Sequence, residues 1–205
     1  MSTLTLYGSE LSGHAHRVRL LLSMLKLEAE WVEAGADVRK REDFMALNPL
    51  GQIPVLVDNG TVIADSNAIL IWLAKRYAPD SGWLPQELLK EVQVHQWLAK
   101  AAGEIRYGVA SARLIRQFNA PENYDSAVNV AGKFLPQFEA HLAGRQWLVG
   151  DRATLADLAC YAYVACAPEG GIALRAYPAV KSWLQRVEAL PGFIALPALP
   201  LPAEA

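Results

Sequence analysis

Hydrophobic and polar positions change their period along this chain, and the changes divide it. Thr3-Leu4-Thr5-Leu6-Tyr7 alternates polar and apolar, the period of a half-buried strand. Gly8 to Gly13 is a turn-rich loop. Val18, Leu21, Leu22 and Leu25 then recur at helical spacing and predict a helix from about His14 to Lys26. Ala29 to Ala34 reads as a second strand, and the charged stretch Asp37 to Leu47 as a short surface helix. Asn48-Pro49-Leu50-Gly51 breaks the pattern. Pro54 to Val57 reads as a strand, Asp58-Asn59-Gly60 as a hairpin turn, and Thr61 to Ala64 as the return strand. Asp65 and Ser66 stand where a helix cap belongs, ahead of a helix from Ala68 to Tyr77.

This order of strand, helix, strand, helix, hairpin and helix predicts a small α/β layer domain over residues 1–78. Prolines and a glycine mark residues 79–86 as a linker, and the texture then changes. Residues 87–205 are expected to form an all-helical domain. Leu88 to Phe118 reads as one long Ala-rich helix with Gly103 and Gly108 as weak points, and Tyr124 to Leu142 as another. Thr154-Leu155-Ala156-Asp157 matches a helix-start capping pattern, with Asp in place of the usual Glu. Tyr177 to Leu190 reads as the last helix, Pro178 lying in its first turn. Prolines from Pro191 to Pro202 predict an irregular tail.

Composition narrows the function classes. A formal net charge of −2 over 205 residues gives no basic field for a phosphate backbone, so nucleic acid is not an expected partner. No apolar run is long enough to span a bilayer, and the first residues lack the pattern of a secretory leader. A cytoplasmic location is expected. Cys160 and Cys166 are too few for a disulfide framework and read as small buried hydrophobes. His14 and His16 flank a helix start, where an imidazole can tune a nearby anion. They have no third ligand type close by, so no metal site is expected.

Three short segments can carry chemistry. Pro54 opens a buried strand, where a proline suits a cis peptide bond that would leave the Ile53 N–H and C=O free to pair with an extended peptide. A plain tight turn is the equal alternative. Asp65-Ser66 opens a helix: the helix start and the hydroxyl favour a carboxylate, and the Asp favours an ammonium group. Together they would hold an amino-acid head group, although capping alone also accounts for them. Ser12 lies just before another helix start, where a hydroxyl and the helix dipole can stabilise a thiolate. The alternative is an ordinary turn serine, which is common.

With these segments in this order, the chain resembles the cytosolic glutathione transferases, the bacterial serine-type members in particular. The resemblance rests on Leu4 to Gly8 with Ser12, Asn48-Pro49-Leu50-Gly51-Gln52-Ile53-Pro54 and Asp65-Ser66-Asn67-Ala68-Ile69. It extends to Gly150 to Asp157, Tyr177 to Val180 with Trp183, and Leu190-Pro191-Gly192-Phe193. The family's fold is a thioredoxin-like N-terminal domain followed by an all-helical C-terminal domain. The resemblance implies a homodimeric detoxifying transferase that needs glutathione as co-substrate and no metal. Residue by residue, it implies that Ser12 activates the thiol, with Ser9 as the second candidate. Ile53, beside cis-Pro54, would pair with the cysteinyl part, Asp65 and Ser66 would hold the γ-glutamyl group, and Gln52 and Lys40 would reach the rest of the tripeptide. Asp65 stands where Glu is commoner. Tyr7 lies inside the strand pattern and reads as a packing aromatic.

A hydrophobic electrophile would lie between the first loop and the long helix, with Leu11, Tyr107 and Ser111 as candidate contacts and Ala110 and Leu114 beside them. Arg106 and Arg113 would attract an anionic acceptor, or be solvated. The first helix starts without a cysteine, which excludes a mixed disulfide with a protein thiol there. Open alternatives are a non-catalytic glutathione-binding or interaction module, and a glutathione-dependent isomerase or peroxidase.

Overall fold

The computed structural model describes residues 4–202, arranged in two compact units. The first comprises the chain up to Leu84 together with Pro191–Pro197; the second comprises Pro85–Leu190 and the residues from Ala198. Thr3, where the first strand was expected to begin, lies outside the described residues.

The first unit holds a sheet of four strands, β1 (Leu4–Gly8), β2 (Glu30–Glu33), β3 (Val55–Asp58) and β4 (Thr61–Ile63), in the order β2-β1-β3-β4. β1 pairs parallel to β2 and antiparallel to β3, and β3 pairs antiparallel to β4. Helices α1 (Gly13–Met24), α2 (Glu42–Leu47) and α3 (Ser66–Tyr77) complete the unit, with a single 3₁₀ turn at Val38–Lys40. Period-2 alternation gives each sheet face its own core. Leu4, Leu6 and Leu56 are buried with Ala15, Val18 and Leu21 of α1 and with Ile69, Leu70 and Leu73 of α3. On the other face Tyr7, Val38, Leu47 and Ile53 pack around Ala34, Phe44 and Val55. Tyr7 meets Phe44 edge to face at 5.8 Å, the packing role expected of it. Asp58 closes β3: its carboxylate accepts from the Trp72 indole at 2.7 Å and the Tyr77 hydroxyl at 2.8 Å. Burial raises its pKa, but these bonds outweigh burial and hold it below the usual range.

The second unit contains α4 (Leu88–Ala102), α5 (Ser111–Phe118), α6 (Tyr124–Leu142), α7 (Leu155–Ala165) and α8 (Pro178–Glu188). α7 is buried over almost its full length, as an Ala- and Leu-rich sequence without a polar stripe requires. Around it Trp97, Phe134, Phe138 and Trp183 form an aromatic core with centroid spacings of 5.1–5.4 Å. Thr154 caps α7 and Asp157 answers with a carboxylate oxygen on the Thr154 N–H at 2.9 Å. The same carboxylate accepts from the Leu148 N–H at 3.1 Å and the Trp183 indole at 2.8 Å. Cys160 and Cys166 are buried and not joined in a disulfide, and burial pushes Cys166 up to about 12, far from thiolate chemistry at neutral pH.

Two expectations need correction. The helix expected over Leu88 to Phe118 is not continuous: α4 ends at Gly103, Arg106–Ala110 form a π-helical turn, and α5 follows. Gly108 lets this turn approach α6 closely, because a Cβ there would stand 3.0 Å from the Ala131 amide nitrogen. The tail is irregular as expected, but residues 191–197 group with the first unit, where the Ile194 carbonyl meets His16 of α1, and not with the second. Among the described residues, no helix is long and apolar enough to cross a membrane.

Candidate functional site

The sheet register brings the sequence-predicted segments to one end of the first unit. Tyr7 pairs with Val55, so the loop leaving β1 and the Ile53-Pro54 step entering β3 are neighbours. β4 runs back along β3 with Ile63 opposite Leu56, so Asp65 and Ser66 emerge at that same end. Gly8 also pairs with Glu33, so the segment leading to Lys40 starts there too.

Ser12 is the N-cap of α1. Its hydroxyl oxygen accepts from the Ala15 N–H at 3.2 Å, and its own N–H donates to the Ser9 carbonyl at 3.0 Å. The Ser12 O–H donates to no partner among the described residues, and α1 carries no acid in its first turn. Hydroxyl proton and helix dipole are therefore both available to an anion at this point. Ser9 is half-buried in the same loop.

The Ile53-Pro54 bond is cis, and the β1–β3 ladder ends at Val55, leaving Ile53 outside it. Asn48 builds the approach. Buried itself, it donates from Nδ2 to the Gln52 carbonyl at 2.9 Å and accepts the Leu50 N–H at 3.2 Å. The Gln52 side chain remains exposed.

Asp65 caps α3, accepting from the Ala68 N–H at 2.9 Å, and Ser66 is buried at the first turn. Beneath them lies Arg17, only 1% exposed. Its guanidinium donates to Ser66 Oγ at 3.3 Å and to Asn67 Oδ1 at 3.0 Å. In the sequence Asn48 opens the Asn48–Pro54 motif without a role of its own, and Arg17 is not singled out. Arg17 carried one signal: it stands three and four residues before Leu20 and Leu21, in line with the apolar positions of α1. Lys40 ends the 3₁₀ turn and is exposed, whereas its neighbour Arg41 is committed to Asp43 at 2.6 Å.

The electrophile candidates fare differently. Leu11 is half-buried in the first loop and Tyr107 is 62% exposed on the π-helical turn. Ser111 is buried, its hydroxyl donating to the Arg106 carbonyl at 3.0 Å and closely engaged with the Glu122 carboxylate, so it has no surface for a ligand. Arg106 is not a free cation, since it forks onto Glu122 at 2.9 and 3.3 Å and holds that carboxyl below its usual range. Arg113 is buried against Glu169 at 2.6 Å. Arg113 is therefore out of solvent and Arg106, though part-exposed, is committed to Glu122, so neither is available to an anionic acceptor. His16 is likewise occupied: its Nε2–H donates to the Ile194 carbonyl at 2.8 Å.

Residues 11–76 match the family model of the glutathione S-transferase N-terminal domain, and residues 104–191 that of its C-terminal domain. The chain belongs to the glutathione S-transferase family. Glutathione S-transferase 3 of Zea mays is 32% identical, across 98% of this chain and 97% of its own. A solved glutathione S-transferase from Xanthobacter autotrophicus superposes with a TM-score of 0.86 at 36% identity, covering 95% of this chain and 97% of the other. One from Pseudomonas fluorescens superposes at 0.87 with 33% identity, covering 94% and 98%. The protein is a transferase that uses glutathione as co-substrate, with the thioredoxin-like and all-helical domains of that fold.

Proposed function

We propose that glutathione lies extended along Ile53 with its thiol at Ser12, and that the thiolate attacks a hydrophobic electrophile. Ser12 donates its hydroxyl proton as a hydrogen bond to sulfur, and the α1 dipole favours the anion, raising the nucleophilic fraction at neutral pH. Ile53 supplies backbone pairing to the cysteinyl unit. Ser66 and the α3 N-terminus take the γ-glutamyl carboxylate, Asp65 its ammonium group, and Gln52 and Lys40 the remainder, Lys40 at the glycyl carboxylate. Leu11, half-buried in the Ser9–Ser12 loop, offers the electrophile apolar surface beside the thiol; on the second unit Tyr107 is exposed, whereas Ser111 is buried and engaged with Arg106 and Glu122.

The observation that carries this reading is the sheet register, which delivers the Ser9–Ser12 loop, the cis Ile53-Pro54 step and the Asp65-Ser66 helix start to one end of one unit. Holding the thiol and its partner in place accounts for most of what such an enzyme must do. The same reading places the enzyme in the cytoplasm, as a homodimer acting in detoxification. Exposed Leu88, Leu89 and Val92, close together on α4, are apolar surface that such a dimer would cover.

Calorimetric glutathione titration and chlorodinitrobenzene conjugation test the proposal. Wild type should bind and turn over. Ser66→Ala should bind about tenfold more weakly, having lost a hydrogen bond to a charged group. Ser12→Ala should bind normally but conjugate about 100-fold more slowly. Full turnover by Ser12→Ala would move the role to Ser9 or a backbone N–H. Binding without turnover of any electrophile would favour a non-catalytic module.

A further inference from the structure

The first unit contains a second concavity, at the end of the sheet opposite Ser12. It has a volume of about 540 Å³ and lies between the latter half of α1, the start of the edge strand β2 and the tail. Volumes of this order accommodate small organic ligands. Leu22, Leu27 and Ile194 give it apolar walls, and Arg19, Ser23 and Glu28 give it polar ones.

Arg19 is the unusual member. It is half-buried, and among the described residues it makes no hydrogen bond or ion pair. Its guanidinium stacks on the Trp31 ring, 4.8 Å from the centroid. Trp31 is itself fixed, because its ring fills the space where a Cβ on Gly8 would stand, 2.5 Å away. The ring thus holds the guanidinium at the cavity wall and leaves its N–H donors uncommitted, a cation suited to a carboxylate or a sulfonate. The His16 hydrogen bond to the Ile194 carbonyl holds the tail wall in position. Glu28 is exposed at the rim and opposes a second negative charge on the ligand.

We propose that this cavity binds a compact aromatic monoanion, a carboxylate or sulfonate, with its head on Arg19 and its ring against Leu22, Leu27 and Ile194, independently of glutathione. The test is calorimetric titration of 2-naphthoate into the full-length protein with the glutathione site saturated by S-hexylglutathione. The expected result is one binding site that survives saturation, with the neutral 2-naphthamide binding about tenfold more weakly. Arg19→Gln should weaken 2-naphthoate about tenfold while leaving glutathione conjugation unchanged, and Glu28→Gln should strengthen it two- to threefold, about the worth of one exposed charge pair. The proposal is overturned by absence of 2-naphthoate binding at millimolar concentration, by displacement with S-hexylglutathione, or by equal affinity for the amide. If Arg19→Gln does not fold, Glu28→Gln and the amide decide alone, and an unchanged affinity in Glu28→Gln overturns the placement.

Discussion

A single buried arginine shows how this site is prepared before any ligand arrives. Arg17 reaches across from α1 to Ser66 and Asn67 at the start of α3. It orients the Ser66 hydroxyl and puts a positive charge under the helix terminus at which the γ-glutamyl carboxylate is proposed to bind. Arg17→Met should therefore weaken glutathione about tenfold or more, the worth of a charge-assisted hydrogen bond. Because the arginine stands behind Ser66 and away from Ser12, KM for glutathione should rise while kcat falls much less; an equal fall in kcat would assign it a different role. Arg17→Lys keeps the charge but loses the fork, and should recover only part of the affinity. Residues of this kind are hard to read from sequence. Ser12, Ile53 and Ser66 announce themselves by local signals: a cap position, a proline before a strand, a polar pair opening a helix. Arg17 acquires its meaning from a partner 49 positions away. The same holds for Arg106 and Arg113, whose acids lie 16 and 56 positions further on.

Among the elements, α6 is the most legible: Tyr124 to Leu142 is where hydrophobic spacing predicts it, even across Pro136, which is exposed and interrupts only the solvent side. The boundaries of β3, β4 and α3 move by one or two residues, as strand and helix ends do. The break after α4 was marked by Gly103 and Gly108 but not foreseen as a π-helical turn. At that turn Gly108 meets Ala131 of another helix so closely that a Cβ would crowd it, a contact that local propensity does not announce. α7 gives the clearest mechanical prediction. Asp157 gathers the Leu148 amide, the Thr154 amide and hydroxyl and the Trp183 indole on one fully buried carboxylate. Removing it leaves those donors without an acceptor in an apolar setting, at about 1–3 kcal/mol for each buried group left bare. Asp157→Ala should therefore lower the thermal midpoint by about 10 °C or more, read by calorimetry. Asp157→Asn, which keeps one acceptor oxygen, should fall between; equal stability of wild type and Asp157→Ala would show that the cap is not holding α7.

For the whole molecule, the tail couples stability to pH. Residues 191–197 return to the first unit, where the buried His16 donates to the Ile194 carbonyl. Burial is the main cause that lowers the His16 pKa from 6.5 to about 4; the backbone bond works against it, and the charges of Arg19 and Arg17 add to it. The folded state therefore binds fewer protons at this group than the unfolded chain between those two values. Stability from His16 is fully present above about pH 6.5 and is lost as pH falls toward 4, up to about 3 kcal/mol. Two other kinds of group titrate nearby. Asp58 and Glu122 are held below their usual range, so their contributions are lost at lower pH. Asp157 is pushed up by burial and works in the opposite sense, protonation favouring the fold. Comparison with His16→Gln separates His16 from all three, because glutamine retains an N–H for Ile194 and cannot be protonated. In urea unfolding at intervals from pH 4 to 7, wild type should lose stability steadily below pH 6.5, and His16→Gln should be nearly flat over the upper part of that range. Parallel curves for the two proteins would mean that His16 is protonated in the folded state as readily as in the unfolded chain, and that the bond to Ile194 does not depend on a neutral ring.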